Sequence, residues 1–175
     1  YIILMIYVLY GQPASGKTTL GKLLAERLNT PLVIDGDEFR EMFTNKNYGR
    51  KGREENIRNA NAVATYLNKK GKTEDWAAIY YRDKPTELHG RPVDTDTDVV
   101  MCLVNPYEDL RNELRKNNEN EVVEVYLYCS RDLRKEYHVQ DFEEGSPSIK
   151  LCTDKNIHAT FLDLILLLDE IRGRA

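Results

Sequence analysis

The chain has 175 residues, of which 41% are hydrophobic and 31% are charged, and its formal net charge is −4. These values are typical of one globular domain with a substantial core, and the acidic balance disfavours a broad nucleic-acid-binding surface. The longest N-terminal apolar run, Ile2–Leu9, is too short to span a bilayer and lacks the flanks of a signal peptide, so we expect a cytoplasmic protein without a membrane partner.

Strand-like and helix-like segments alternate along the chain. Apolar, β-rich runs predict strands, and apolar residues recurring every three or four positions predict helices. This alternation predicts an α/β fold with a parallel sheet covered by helices on both faces. In chain order, the predicted elements are a strand at 2–10, a helix at 19–28, a strand at 31–34, helices at 38–44 and 53–70, a strand at 98–104, a helix from Pro106 to about Asn117 with the proline in its first turn, strands at 122–128 and 148–152, and a helix at 157–171 capped by Thr153 or Asn156.

The segment between the first strand and the first helix carries the most informative motif. Residues 11–18 read G-Q-P-A-S-G-K-T, a complete G-x-x-x-x-G-K-[ST]. In this pattern backbone N–H groups cradle phosphates, the lysine reaches the β- and γ-phosphates, and the final hydroxyl ligates Mg²⁺. The motif and its context predict a three-layer P-loop NTPase fold that binds ATP and Mg²⁺. The predicted ATP-binding residues are Gly11, Ala14, Ser15, Gly16, Lys17, Thr18 and Thr19, with Thr18 as the Mg²⁺ ligand.

Asp35-Gly36-Asp37 follows the second predicted strand. In a parallel sheet this position lies at the ligand-binding edge, near the γ-phosphate. A carboxylate there can accept the proton of an acceptor hydroxyl or hold a metal-bound water, so Lys17 and Asp35 are the predicted catalytic residues. The same tripeptide is also a common turn and helix N-cap, so the structural interpretation stays open beside the catalytic one.

A third group of polar residues surrounds the start of the long predicted helix. Tyr48 offers an aromatic surface, and Arg53 and Asn56, three residues apart, place hydrogen-bond donors on one helical face. Such a combination suits an anionic nucleotide. A solvated helix start with Glu54 and Glu55 in its first turn is the alternative interpretation.

These motifs, in this order, resemble those of the adenylylsulfate kinase (APS kinase) family. The P-loop is followed by D-G-D-E-F-R at 35–40, by R-E-E-N-I-R at 53–58 and by C-L-V-N-P-Y at 102–107. The resemblance implies transfer of the ATP γ-phosphoryl group to the 3′-hydroxyl of adenosine 5′-phosphosulfate (APS), with Asp35 nearest that hydroxyl. It also implies an APS site formed by Asp37, Arg40, Tyr48, Arg53 and Asn56, in which the tyrosine replaces a family phenylalanine that packs on the adenine.

Three parts of the chain depart from the family pattern. Asn105 stands where the family has a serine that can carry phosphate, which excludes any role for that hydroxyl here. The segment 72–96 looks inserted; a hairpin there would lie opposite the ligand edge, where we expect it to pack, dimerise or bind a partner. The lid, at 130–147, lacks the family's phenylalanine-containing segment. Candidates to replace it are Tyr137, His138 or Phe142 for stacking and Arg131, Arg134 and Lys135 for charge, unless the segment is only a solvated loop.

Several questions stay open at this stage. The altered lid also allows a kinase of another small molecule, another nucleotide or a polynucleotide 5′-end, and a non-catalytic ATP-binding module is a further alternative. Met5 is a candidate for the natural start, and homodimer formation is left open. The three cysteines, Cys102, Cys129 and Cys152, lie in or beside apolar runs and are predicted to be reduced thiols in the core.

Overall fold

The computed structural model describes residues 4–70, 87–88, 91–92, 98–131 and 133–173. Most of its elements match the predicted ones within a few residues. In chain order they are β1 (Ile6–Tyr10), α1 (Lys17–Leu28), β2 (Val33–Asp35), α2 (Gly36–Met42), α3 (Arg50–Lys70), β3 (Glu87–Leu88), β4 (Arg91–Pro92), β5 (Val99–Leu103), α4 (Glu108–Asn117), β6 (Val122–Tyr128), a 3₁₀ turn (Lys135–Tyr137), β7 (Ile149–Cys152) and α5 (Ile157–Gly173).

Five strands form one parallel sheet in the order β2-β5-β1-β6-β7. The central strand β1 is buried along its whole length, and its side chains alternate between the two faces. Leu9 packs in a cluster with α1 and α5, whereas Val8 packs in a second cluster with α3 and α4. This confirms the predicted three-layer P-loop NTPase fold and brings the carboxyl ends of β1, β2 and β5 to one edge.

Two element boundaries differ from the prediction in ways that matter for the site. α3 begins at Arg50, three residues early, and the N–H of Arg53 already donates to the carbonyl of Gly49 at 3.0 Å. The placement of Pro106 inside α4 is wrong, because Tyr107 is the extended N-cap residue and the helix starts at Glu108. Of the two predicted caps of α5, Asn156 is the one used: its Oδ1 accepts from the N–H of Ala159 at 3.0 Å.

The predicted hairpin inside 72–96 is seen in part. β3 and β4 are antiparallel, with Glu87 opposite Pro92 and Leu88 opposite Arg91. The apolar run at 76–81, which predicts a further strand, lies outside the described residues. In the part of the chain that the structure describes, no helix combines the length and apolar character needed to cross a membrane. Cys102 lies in the core as predicted, whereas Cys129 and Cys152 are only half-buried.

Candidate active site

The loop between β1 and α1 depends on two glycines. Gly11 is buried, and a Cβ at this position would overlap the carbonyl oxygen of Leu127 on β6. Gly16 has φ of 90° and is the N-cap residue of α1, a conformation that strongly favours glycine. The neighbouring strand anchors the loop, since the N–H of Gly11 donates to the carbonyl of Val104 at 3.3 Å. The loop therefore keeps a tight path that ends at the N-terminus of a helix, where anions are favoured.

Lys17 is the first residue of α1 and folds back over this loop. Its Nζ donates to the carbonyl of Gln12 at 2.7 Å and to Oγ of Ser15 at 3.3 Å. Burial lowers the pKa of Lys17 to about 8, although Asp35 and Asp37 act in the opposite direction. The ammonium group is thus held at the loop with little access to water. A negatively charged phosphate bound there would stabilise its positive charge.

Thr18 and Asp35 form the second polar contact of the site. Oγ1 of Thr18 donates to Oδ2 of Asp35 at 2.7 Å, and Oδ1 of the same carboxylate accepts from the N–H of Asp37 at 2.9 Å. Asp35 is therefore the N-cap of α2, which confirms the structural interpretation of the D-G-D motif, and its contact with Thr18 also places it beside the P-loop. Its catalytic role stays a prediction.

The Thr18–Asp35 pair also fits a magnesium site. Mg²⁺ in proteins uses oxygen ligands and is commonly bound by one or two carboxylates together with substrate phosphates. A hydroxyl and a carboxylate in contact beside a phosphate-binding loop supply that donor set. Among the described residues no cluster of three or more histidine, cysteine, aspartate or glutamate side chains could hold a metal ion, so the nucleotide would have to complete the coordination.

A single cavity of about 1700 Å³ joins the P-loop to the start of α3. All of the predicted site residues except Gly11 and Ser15 line it, and these two shape the loop from within. The residues that come from the P-loop and the start of α1 are Ala14, Gly16, Lys17, Thr18 and Thr19. Those that come from the end of β2, from α2, from α3 and from the loop between these helices are Asp35, Asp37, Arg40, Tyr48, Arg53 and Asn56. Two regions 16 or more residues apart in sequence thus share one space.

The far side of this cavity is built around Arg40. Its guanidinium lies 4.3 Å from the ring centroid of Tyr48, and Nη1 donates to the carbonyl of Asn47 at 2.9 Å. Tyr48 remains 64% exposed, so much of its surface is open to a ligand. Asn56 is buried and donates from Nδ2 to the carbonyl of Gly36 at 3.1 Å, which ties α3 to the start of α2. Half-buried Arg53 lines the cavity beside them.

The predicted lid segment 130–147 is attached to the P-loop by a contact that the motif does not indicate. The side chain of Gln12 donates from Nε2 to the carbonyl of Val139 and accepts at Oε1 from the N–H of the same residue, both at 2.9 Å. Gln12 occupies a position where the P-loop pattern allows any residue, so sequence reasoning gave no signal for it.

The lid candidates divide between the cavity and the rest of the molecule. Arg134, Tyr137 and His138 line the cavity, as expected of lid residues. Phe142 does not: its ring packs against Tyr10 and Tyr126 at centroid distances of 6.3 and 5.8 Å, so its proposed stacking role is wrong. Two further candidates lie elsewhere. Arg131 donates to the carbonyl of Thr153 at 2.7 Å and pairs with Asp154, and Lys135 does not line the cavity.

The sheet order, the P-loop and the cavity at the carboxyl edge define a kinase-like P-loop NTPase fold. The family model described as AAA domain matches residues 10–124, and the chain belongs to this family. No curated protein sequence matches the chain.

Several solved kinase structures share the fold. The Mycobacterium tuberculosis APS kinase in complex with AMPPNP and APS has a TM-score of 0.70 and 18% identity, covering 97% of this chain and 99% of that chain. A gluconokinase from Sinorhizobium meliloti has a TM-score of 0.63 and 12% identity, with coverage of 99% and 97%. Shikimate kinase from Aquifex aeolicus has a TM-score of 0.60 and 18% identity, with coverage of 98% and 100%. At these identities the likeness establishes the fold, and the resemblance to APS kinases is confirmed at that level.

Proposed function

We propose that this protein is an ATP-dependent phosphotransferase that phosphorylates the 3′-hydroxyl of APS, giving 3′-phosphoadenosine 5′-phosphosulfate and ADP. The observation that carries the proposal is the cavity in which the P-loop lies opposite Arg40, Arg53 and Tyr48. A phosphate cradle on one side and two guanidinium groups beside an aromatic ring on the other suit two anionic nucleotides. We further propose a cytoplasmic protein whose substrates are small nucleotides.

The donor half of the reaction rests on Lys17 and Thr18. The ammonium of Lys17 would bind the β- and γ-phosphates and neutralise charge on the transferring group. Mg²⁺, held by the Thr18 hydroxyl and the phosphates, would supply further neutralisation of that group, which leaves the Asp35 carboxylate for the acceptor. Because phosphoryl transfer needs little covalent help from the protein, positioning and electrostatics account for most of the catalysis.

The acceptor half rests on residues of α2, α3 and the loop between them. Arg40 and Arg53 would bind the anionic phosphosulfate, and Tyr48 would pack on the adenine. Asp37 and Asn56 line the same space and would hold the remaining polar groups of APS. Asp35, at the end of β2, would orient the 3′-hydroxyl and accept its proton as the new P–O bond forms.

A second candidate is a kinase of another small hydroxyl compound. Two observations favour it: Asn105 replaces the family serine beside the cavity, and the partly buried Phe142 packs against the core instead of lining the cavity as a lid aromatic. Solved structures with the same fold include a gluconokinase and a shikimate kinase, so the fold itself does not select the acceptor.

A substrate panel tests the proposal. We expect radiolabelled phosphate from [γ-³²P]ATP to appear in product with APS, and not with adenosine, gluconate, shikimate or a 5′-hydroxyl oligonucleotide. Lys17→Ala serves as the control that must abolish turnover. Label transferred only to another panel member would support the second candidate, and ATP binding without any labelled product would favour a non-catalytic ATP-binding module.

A further inference from the structure

Asn105 carries a buried amide side chain beside the cavity, and this amide has no hydrogen-bond partner among the residues that the structure describes. It follows β5 by two residues at the carboxyl edge of the sheet and is only 1% exposed. Within the described part of the chain, neither its Oδ1 nor its Nδ2 has a hydrogen-bond partner. Its backbone is firmly held, because its carbonyl accepts from Nη1 of the fully buried Arg111 at 2.6 Å. An unpaired amide in a fixed position is an uncommon feature that asks for an explanation.

The backbone conformation alone does not explain this side chain. Asn105 has φ of 45°, a region in which asparagine is favoured over most other residues. Asn29 and Asn120 have φ of 53° and 60°, and both leave their side chains exposed to water. Positive φ therefore accounts for asparagine or glycine at position 105, but it does not account for burying an amide with both of its polar atoms unpaired.

The two unpaired atoms indicate the chemistry of the missing partner. An amide offers a donor and an acceptor, whereas a phosphate or sulfate could satisfy only the donor. Oδ1 of Asn56, which lines the same cavity, is a second buried acceptor without a partner in the described residues. A hydroxyl group both donates and accepts, so it can satisfy Asn105 where an anion cannot. The cationic side chains of the site are left to bind the anionic groups.

We propose that Asn105 is a specificity-determining residue whose amide binds a sugar hydroxyl of the acceptor. This inference rests on the proposed function, in which the acceptor is APS. The 5′-oxygen of APS is esterified and its 3′-hydroxyl is the reacting group, so the partner of Asn105 is the remaining 2′-hydroxyl. Arg111 acts as a positioning residue, because it fixes the backbone from which the amide projects.

Steady-state kinetics with APS and its 2′-deoxy analogue test the inference. We expect Asn105→Gly, which keeps the positive φ, to raise the KM for APS about tenfold and to leave the KM for ATP unchanged. We also expect it to abolish the preference for APS over the 2′-deoxy analogue that the unmodified protein shows. Asn29→Gly is the matched control: it changes the same residue type at similar φ on the exposed end of α1 and should alter neither KM.

The outcomes separate the inference from the proposed function. Turnover of APS with an unchanged KM and unchanged 2′-discrimination in Asn105→Gly would overturn the inference alone. Turnover of another panel member and not of APS would overturn the proposed function. Asn105→Gly and Asn29→Gly would then be assayed with that acceptor and with an analogue that lacks one of its hydroxyls. If Asn105→Gly did not change the KM for that acceptor, the inference would be overturned as well. No phosphorylated product from any acceptor would overturn both. Should Asn105→Gly not fold, as judged by thermal denaturation, the unmodified protein still tests the inference, because equal KM values for APS and its 2′-deoxy analogue would overturn it.

Discussion

The charge of Lys17 depends on what occupies the site. In the ligand-free protein burial lowers its pKa to about 8, while an unfolded chain would keep the ordinary value of 10.5. Between these two pH values the unfolded state binds more protons than the folded one, so this group makes the free energy of unfolding rise with pH there. Phosphates beside the ammonium would raise the pKa again, because opposite charge favours the protonated form.

We therefore expect ATP binding to take up a proton above pH 8. Affinity for a non-hydrolysable ATP analogue should fall as pH rises from 8 towards 10, by up to about tenfold per pH unit. Calorimetric titrations at pH 9 in two buffers of different ionisation enthalpy would measure the proton uptake. Lys17→Met is the control and should show none; absence of uptake in the unmodified protein would contradict the expectation.

Arg53 gives a second expectation at the level of a single side chain. Arg53→Ala should raise the KM for APS about tenfold or more, with kcat and the KM for ATP little changed, because a charge-assisted contact to the acceptor is lost. Arg58→Ala is a matched control, since Arg58 lies on the same helix, is exposed and pairs with Glu54 at 3.7 Å. Equal effects of the two substitutions on the KM for APS would count against the assignment.

Gly11 contributes to the stability of the fold as well as to the shape of the P-loop, because the loop packs closely against β6 at this residue. Gly11→Ala should lower the free energy of unfolding by about 1–3 kcal/mol, because the added methyl group would meet the carbonyl oxygen of Leu127. Gly173→Ala provides the comparison, since a Cβ there meets no atom within 4 Å. Urea denaturation followed by circular dichroism measures the free energy of unfolding of both variants. If Gly11→Ala were as stable as Gly173→Ala, the loop at position 11 could move away from Leu127 on β6 without loss of stability.

At the scale of elements, the side chain of Gln12 hydrogen-bonds to the backbone of the predicted lid at both the N–H and the carbonyl of one residue, as a neighbouring strand would. Its two hydrogen bonds to Val139 are the direct link between the P-loop and the middle of the segment 130–147. Gln12→Ala should speed amide hydrogen exchange at Val139 about tenfold or more, since both bonds are lost together. Gln140→Ala, which removes only a 3.4 Å contact to the carbonyl of His138, should leave that rate unchanged. Similar exchange in all three proteins would mean that Gln12 does not hold the lid.

At the scale of the whole molecule, the segment 72–96 precedes β5 in the chain, and the amino end of β5 is opposite the edge of the sheet that carries the site. We expect a deletion that joins Gly71 to Thr97 to leave kcat/KM within about twofold, because binding sites of parallel sheets lie at the carboxyl ends. Circular dichroism would show whether the fold persists. A loss of activity in a folded deletion variant would assign a catalytic role to the insert.

The sequence predicts the sheet well because each central strand is a short apolar run between clear turns and helices. It also places Lys17, Thr18 and Asp35 at one edge, because the carboxyl ends of all strands in a parallel sheet lie at the same edge. It could not predict what Gln12 or Phe142 contact, because these contacts depend on how the segment 130–147 lies over the sheet. Nor could it show that both amide atoms of Asn105 lack a partner, since pairing is a property of the packed structure.

The fully buried Arg111 attaches the predicted lid segment to the backbone at Asn105. Its guanidinium donates to two carbonyl groups, that of Asn105 at 2.6 Å and that of Glu143 at 2.7 Å. The N–H of Glu143 in turn donates to the carbonyl of Pro106 at 2.8 Å. At the other end of the segment, the N–H of Ser130 donates to Asp154 at 3.0 Å. A segment fastened at both ends can move only between them, so we expect any opening of the predicted lid to occur between Ser130 and Glu143. Because Arg111 holds both Glu143 and Asn105, we expect the backbone at Asn105 to keep its position during such an opening.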